Sequence, residues 1–453
     1  MSWKKIAALT SLLVVLLLVI SLLENRESKI QESRDFLYSL PAEELAQIEL
    51  KRDNETLLFL KENENWRLEK PVQAEVDSGA MNNLVDSFSA LRYDRLVETE
   101  SADFSVYGLD QPRLELKLFS ADREKPQKTL LIGLKNEIDG SSYARLQDEQ
   151  RVVMLPAFRV NYLDREVFDF RQKKFMDLAA AEVESFVLNW QGRSFDFKRI
   201  NGSWWLQSPV VALARGQKID DILRQVAGLE AKAFLERQAK AEFGLDQPLL
   251  QAVFLTGSGS RVELQLGRLD GEYYAGTPAR NEVFRIGDEL PTLISTEVND
   301  YREYKVAVFS PFSVEKIVLS GKADKIELSK AEEIWQSSDR GSLPEVDQEK
   351  VRDILYDLQD LEALSFIDRP VLAESDFNHR VTLTLNPESP DQQERRIELL
   401  FASSLAGELV VRNLDLNYDF LVKPEILAKL PKQASDLLPQ EEVQDNEPDL
   451  ESE

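Results

Sequence analysis

The chain has 453 residues, more than one hydrophobic core can serve, so roughly two to four domains are expected from length. Its 43% hydrophobic and 30% charged residues make a globular composition, and 81 acidic against 55 basic residues leave a net charge of -26 that repels phosphate backbones, so no nucleic-acid partner is expected. With no cysteine and His379 as the single histidine, disulfides, thiolate nucleophiles, zinc-thiolate sites and histidine clusters are excluded within one chain.

The first predicted element is a transmembrane helix over residues 6–23. Ile6 to Leu23 reads IAALTSLLVVLLLVISLL without a charge, and at about 1.5 Å per residue it reaches ~27 Å, close to the thickness of the hydrocarbon layer. A cleavable signal peptide is the alternative, but the following SLLENRESK lacks a small-x-small cleavage site, so an uncleaved anchor is expected. Lys4 and Lys5 lie ahead of the run, whereas Glu24, Arg26, Glu27 and Lys29 behind it mix signs. Residues 1–5 are therefore expected in the cytoplasm and the bulk of the chain in the periplasm or outside, after a linker over 24–43.

Beyond the linker one pattern recurs about every 135 residues. Met81, Leu84, Val85, Phe88 and Leu91 share a helical face; Ile219, Ile222, Leu223, Val226 and Leu229 repeat the spacing, as do Val351, Ile354, Leu355, Leu358 and Leu361. Asp77 and Asp347 stand where N-caps belong. A strand-like run opens each copy, at Leu45, Val183 and Val314, and a second short strand and a tryptophan with a downstream proline follow: Trp66 with Pro71, Trp205 with Pro209, and Trp335 with the later Pro344. After the helix, Tyr107-Gly108-Leu109-Asp110-Gln111-Pro112 and Phe243-Gly244-Leu245-Asp246-Gln247-Pro248 lead into alternating strands. Leu131-Ile132-Gly133 with Tyr143-Ala144-Arg145, and Gln265-Leu266-Gly267 with Tyr274-Ala275-Gly276, complete the shared words. The third copy keeps its strands but offers Asp376-Phe377-Asn378-His379-Arg380 in place of the glycine word, as atypical terminal repeats do.

The expected fold is therefore α+β: an N-terminal transmembrane helix, then three repeats of an antiparallel sheet with one helix, each of two strands, a helix and about four more strands. The units are placed at 44–176, 177–311 and a degenerate 312–432, with an acidic disordered tail over 433–453. Phe168-Asp169-Phe170-Arg171 and Tyr301-Arg302-Glu303-Tyr304 read as connectors between copies.

Chemistry is not demanded by any motif. The phosphate-cradling loop, the H-E-x-x-H pair and the calcium loop are absent. Gly257-Ser258-Gly259-Ser260 is followed by Arg261, so it is a hairpin turn rather than a nucleophile elbow. His379 reads as a surface or turn residue. Asp415, Asn417 and Asp419 could offer oxygens to a cation, but read as the polar side of a strand. Trp66, Trp204, Trp205 and Trp335 suit core packing better than a glycan platform. Catalytic residues, cofactors and metal ligands are expected to be none.

An anchor followed by W-x-x-x-x-P, an aromatic-GLDxP turn, and strand-IG and YAR elements resembles the bacterial domain-of-unknown-function family 4340 over nearly all of residues 44–311 and weakly over the third copy. Members stand beside genes for gliding-motility-type ABC transport systems, and the resemblance implies a non-catalytic scaffold or accessory subunit of an ABC-type transport or cell-envelope complex in the inner membrane. An extracytoplasmic binding module for glycan or another small ligand is the alternative; a hydrolase with paired carboxylates is a third, since 81 acids supply such pairs.

Overall fold

The computed structural model describes residues 36–438 apart from 53–54, 122–123, 175, 236–239, 279, 281, 322–323, 338–345, 371, 387–393 and 404–406. The apolar run 6–23 and residues 439–453 lie outside the described residues. Among the described residues no helix is long and apolar enough to cross a membrane.

The fold is sheet-rich α+β, with mostly antiparallel sheets and few helices. Three large sheets follow one another along the chain, of nine, nine and eight strands. In the first, the spatial order is Ala74–Glu75, Asn65–Lys70, Glu55–Glu62, Gln47–Arg52, Leu114–Phe119, Lys128–Lys135, Ser142–Leu146, Val152–Leu155 and Arg95–Glu98. The chain thus starts in the middle, runs out to one edge, crosses on a helix to the opposite edge, and returns to the middle beside its first strand. The crossing helix, α1 (Ser78–Ser89), buries Met81, Leu84, Val85 and Phe88. Burying four such side chains contributes about 1.5–3 kcal/mol each before entropy is charged against it. The Asp77 carboxylate accepts the Ala80 N–H at 2.7 Å and caps the helix.

The second and third sheets repeat this path with Val183–Trp190 beside Leu250–Thr256 and Val314–Ser320 beside His379–Leu385. Their helices are α2 (Gly216–Ala227) and α3 (Gln348–Gln359), whose buried residues are those of the predicted stripes. Asp347 caps α3 through the Glu349 and Lys350 N–H groups, whereas Arg215 at the start of α2 makes no side-chain cap. Register is fixed by the apolar alternation. Leu50 faces Leu57 on one side and Leu116 on the other, and all three are fully buried.

The sheets hold more strands than the pattern predicts. The edge strands Ala74–Glu75 and Ala212–Leu213 have two residues each, too few to show alternation. The tryptophans lie in the third strand of each layer, not the second: Trp66 faces Lys61, Trp204 faces Arg199 and Trp335 faces Lys330. Trp204 is therefore the counterpart of Trp66 and Trp335, and Trp205 points to the other face. The third layer also continues beyond residue 432. Ala434–Leu437 forms a turn of 3-10 helix, and Leu437, 1% exposed, joins the core made by α3 and its sheet.

By contact, the described residues before Met176 together with Glu230–Phe234 make one compact unit; those of Met176–Leu229 and from Leu235 onward make the other.

Candidate functional site

Residues singled out for chemistry are dispersed. His379 is an exposed strand opener opposite Phe401. Asp415 and Asn417 are exposed in a turn, not along a strand: the Asn413 side chain accepts the Asp415 N–H at 3.0 Å and breaks the ladder there. Asp419 is 1% exposed and held by two bonds from Arg412, at 2.6 and 2.7 Å. That guanidinium also lies 4.8 Å from the Phe377 ring, so Asp419 is one half of an internal ion pair. Among the described residues no three His, Cys, Asp or Glu side chains gather as a metal site. Gly257 to Ser260 form the turn between the strands Leu250–Thr256 and Arg261–Leu269, and the Thr256, Ser258 and Ser260 hydroxyls bond one another. Trp204 and Trp335 are buried and Trp66 half-buried against the core, which removes them from any ligand platform.

The glycine words build a second, smaller core on the sheet face opposite the helix. Leu130 and Ile132 point to the helix side, while Leu131 points away and meets Leu109, Val152, Tyr107 and Tyr143. Phe243, Leu245 and Val283 with Tyr274 repeat the cluster in the second sheet. Gly108 and Gly244 take φ of +66° and +72°, the left-handed region that glycine tolerates. Gly133 and Gly267 face the Tyr107 and Phe243 carbonyl oxygens so closely that any Cβ would collide with backbone. In the third sheet, Ala402 follows Phe401 where Gly133 follows Ile132, and Phe377 has an ordinary φ of -83°. The aromatic-glycine turn and the strand glycine are therefore lost together, because each exists to let the other approach.

The most concentrated chemistry lies in the two aromatic connectors. Each first pairs with the edge of its own layer: Phe170 accepts the Asp77 N–H at 2.8 Å, and Tyr301 accepts the Arg215 N–H at 2.8 Å. The next residue is a buried arginine. Arg171, 6% exposed, lies 3.7 Å from the Phe234 ring, and Arg302, 1% exposed, lies 3.8 Å from Phe366 and 4.5 Å from Tyr418. Arg302 Nη1 donates to Asp368 Oδ1 at 2.6 Å. Three residues on, the backbone of Lys174 pairs with that of Glu230 and the backbone of Lys305 with that of Glu362, both antiparallel, and the Ala231 and Ala363 N–H groups bond the Lys173 and Tyr304 carbonyls. Each connector is an extended arm seated in a socket made by the segment that follows a helix. Burial pushes the Tyr301 and Tyr418 phenols up to about 12, since neither can shed its proton into an apolar, closely packed site. The third layer makes the same first bond, from the Asp347 N–H to Leu437 at 2.9 Å, but Leu438 stands where the arginine would be.

Sequence reasoning found these connectors but not the role of their arginines. The aromatic-arginine pairs Phe170-Arg171 and Tyr301-Arg302 recur at the repeat spacing, which is the signal that could have marked them.

An open polar groove of about 450 Å³ lies beside the second glycine word. It is lined by Gln191, Gln247, Arg268, Asp270 and Tyr273 with the Gly244 backbone, a set able to hydrogen-bond and stack on a small polar molecule.

A family model described as a domain of unknown function, DUF4340, matches residues 66–248 and again 204–379. Comparison with curated proteins gives no match. One solved structure to which the chain is similar, described as a DNA polymerase III beta subunit from Eubacterium rectale, is 7% identical with a TM-score of 0.13, covering 85% of this chain and 92% of that one; a likeness so low carries no argument.

Proposed function

The chain belongs to the DUF4340 family, and we propose that it is a membrane-anchored extracytoplasmic scaffold, three copies of one α+β unit on a single-pass anchor, acting as a non-catalytic accessory subunit of an ABC-type transport or cell-envelope complex. In this reading residues 6–23 hold the chain in the inner membrane with the N-terminus cytoplasmic, and the layers present their surfaces to membrane subunits of the complex.

The observation that supports it is the use made of buried charge. Arg171 and Arg302, both deeply buried, sit in joints that tie one stretch of chain to another, in the same manner twice. A scaffold gains from joints with little freedom, because a partner then binds surfaces already held in place. The net charge of -26 adds solubility and a preference for basic partner surfaces.

Crosslinking in intact cells followed by capture of this chain tests the reading. Recovery of transporter or envelope membrane subunits supports it, and recovery of none removes its basis. A reporter active only in the cytoplasm, fused after Glu453, is expected to stay silent; a strong signal would reverse the topology.

The groove at Gln247 and Arg268 favours a second reading, a binding module for glycan or another small polar ligand. Retention of soluble glycan by the purified chain, abolished in Arg268→Ala, would replace the scaffold reading as the primary function.

A further inference from the structure

The arms at Arg171–Lys174 and Tyr301–Lys305 leave one socket to be accounted for, that of the first layer. In each layer the socket begins one residue after the last apolar residue of the helix stripe: Glu230 after Leu229, Glu362 after Leu361, and Arg92 after Leu91. Lys174 and Lys305 occupy the second and third of these positions. The first is occupied by Phe36, which faces Arg92 in an antiparallel pairing that continues with Tyr38 to Leu91 and Ser39 to Ala90.

We infer that Phe36–Ser39 is an arm of the same kind, so that the chain arriving from the N-terminal apolar run is clamped to the first layer through the backbone pairing that elsewhere sets Lys174 against Glu230 and Lys305 against Glu362. Leu37 and Tyr38 are 4% and 6% exposed and belong to the core built on α1. Leu37 also accepts a bond from Arg151 Nη2 at 3.1 Å, and the Leu40 N–H bonds the Ser89 carbonyl. Such a buried, three-pair strand is not a loose leader. In the backbone pairing lysine stands opposite glutamate in two sockets, Lys174 opposite Glu230 and Lys305 opposite Glu362, and in the first the Arg92 guanidinium lies 4.2 Å from the Phe36 ring.

Only residues 24–35 separate Leu23 from Phe36, which limits the distance between the apolar run and the clamp to ~45 Å. The arm thus fixes one point of the folded part at a short tether from residues 6–23. It stands independently of whether that run crosses a membrane, since it concerns the pairing of residues 36–39 alone.

A charge exchange in the full-length chain tests the equivalence. Phe36→Lys places lysine against Arg92 and should release the arm, raising the rate of chymotryptic cleavage after Leu37 or Tyr38 at least tenfold. Phe36→Lys combined with Arg92→Glu sets lysine opposite glutamate, as in the backbone pairing of the other two sockets, and should return cleavage to within about twofold of the parent. A double variant cleaved as fast as the single one, or a single variant cleaved no faster than the parent, overturns the assignment. Unchanged far-UV circular dichroism in both variants separates release of the arm from loss of the fold.

Discussion

The guanidinium of Arg302 lies 3.8 Å from the ring of Phe366 with its side chain 1% exposed, in the same relation that Arg171 bears to Phe234 at 3.7 Å. A charge taken so far from water must be compensated locally, and here the compensation is two aromatic faces and a single carboxylate, Asp368, itself half exposed. Among the described residues Arg302 Nε and Nη2 have no hydrogen-bond partner, so the site depends strongly on that one carboxylate.

Removing the carboxylate should therefore cost more than removing the charge it serves. Asp368→Asn leaves a buried guanidinium uncompensated and is expected to destabilise by roughly 3 kcal/mol. Arg302→Met keeps most of the volume between Phe366 and Tyr418 and should cost clearly less. Thermal and urea denaturation of the two variants gives the order; Arg302→Met proving the more damaging would show that the ion pair is a net source of stability.

Backbone contact at the strand glycines predicts a sharp asymmetry. Gly133→Ala and Gly267→Ala force a methyl into the Tyr107 and Phe243 carbonyls, and each should cost about 3 kcal/mol. Ala402→Gly, at the matching place in the third sheet, removes only a methyl and some backbone restraint, and should cost about 1 kcal/mol. Gly108→Ala, at φ +66° and with its new Cβ 2.9 Å from Leu134 Cγ, should fall between them. Denaturation midpoints measure all four.

Alkaline stability is set partly by the two buried phenols. The folded values of Tyr301 and Tyr418 are raised from 10.0 to about 12, chiefly by burial, so the fold favours the protonated form. Their contribution is complete below pH 10 and is lost as pH rises from 10 towards 12. Tyr301→Phe gives up the bonds to the Ser295 backbone, each 2.8 Å, and should be less stable at neutral pH yet lose less between pH 10 and 12. A parallel fall of variant and parent over that range, followed by circular dichroism, would contradict this.

At α3, Asp347→Ala removes the acceptor for the Glu349 and Lys350 N–H groups and should cost ~1 kcal/mol. The same comparison at α2 has no cap to remove. Arg215→Ala should leave helix capping unaffected, and hydrogen exchange at the first turn of each helix distinguishes the two cases.

Much of the fold was legible because it is written in periodicity. The stripes of α1, α2 and α3 and the alternating strands after Pro112 and Pro248 need only local rules, since a helix face or a half-buried strand repeats its apolar residues at a fixed interval. The turn at Gly257 to Ser260 is equally local. Two-residue edge strands escaped because they are held by a neighbour's backbone rather than by their own pattern. The end of the third layer was missed for a similar reason: Leu437 is apolar in a polar stretch, and only its burial against α3 reveals it as core.

The sequence by itself determined composition, charge, the absence of thiol chemistry, the apolar run 6–23 and the recurrence of one α+β pattern, all properties of residues or of near neighbours. Tertiary structure alone decided which of those residues meet. Gly133 is required by a carbonyl 26 positions earlier, Arg302 by a carboxylate 66 positions later, and Phe36 by an arginine 56 positions away. Such needs arise from steric exclusion and the cost of burying unpaired charge, which act between chain segments the sequence does not place side by side.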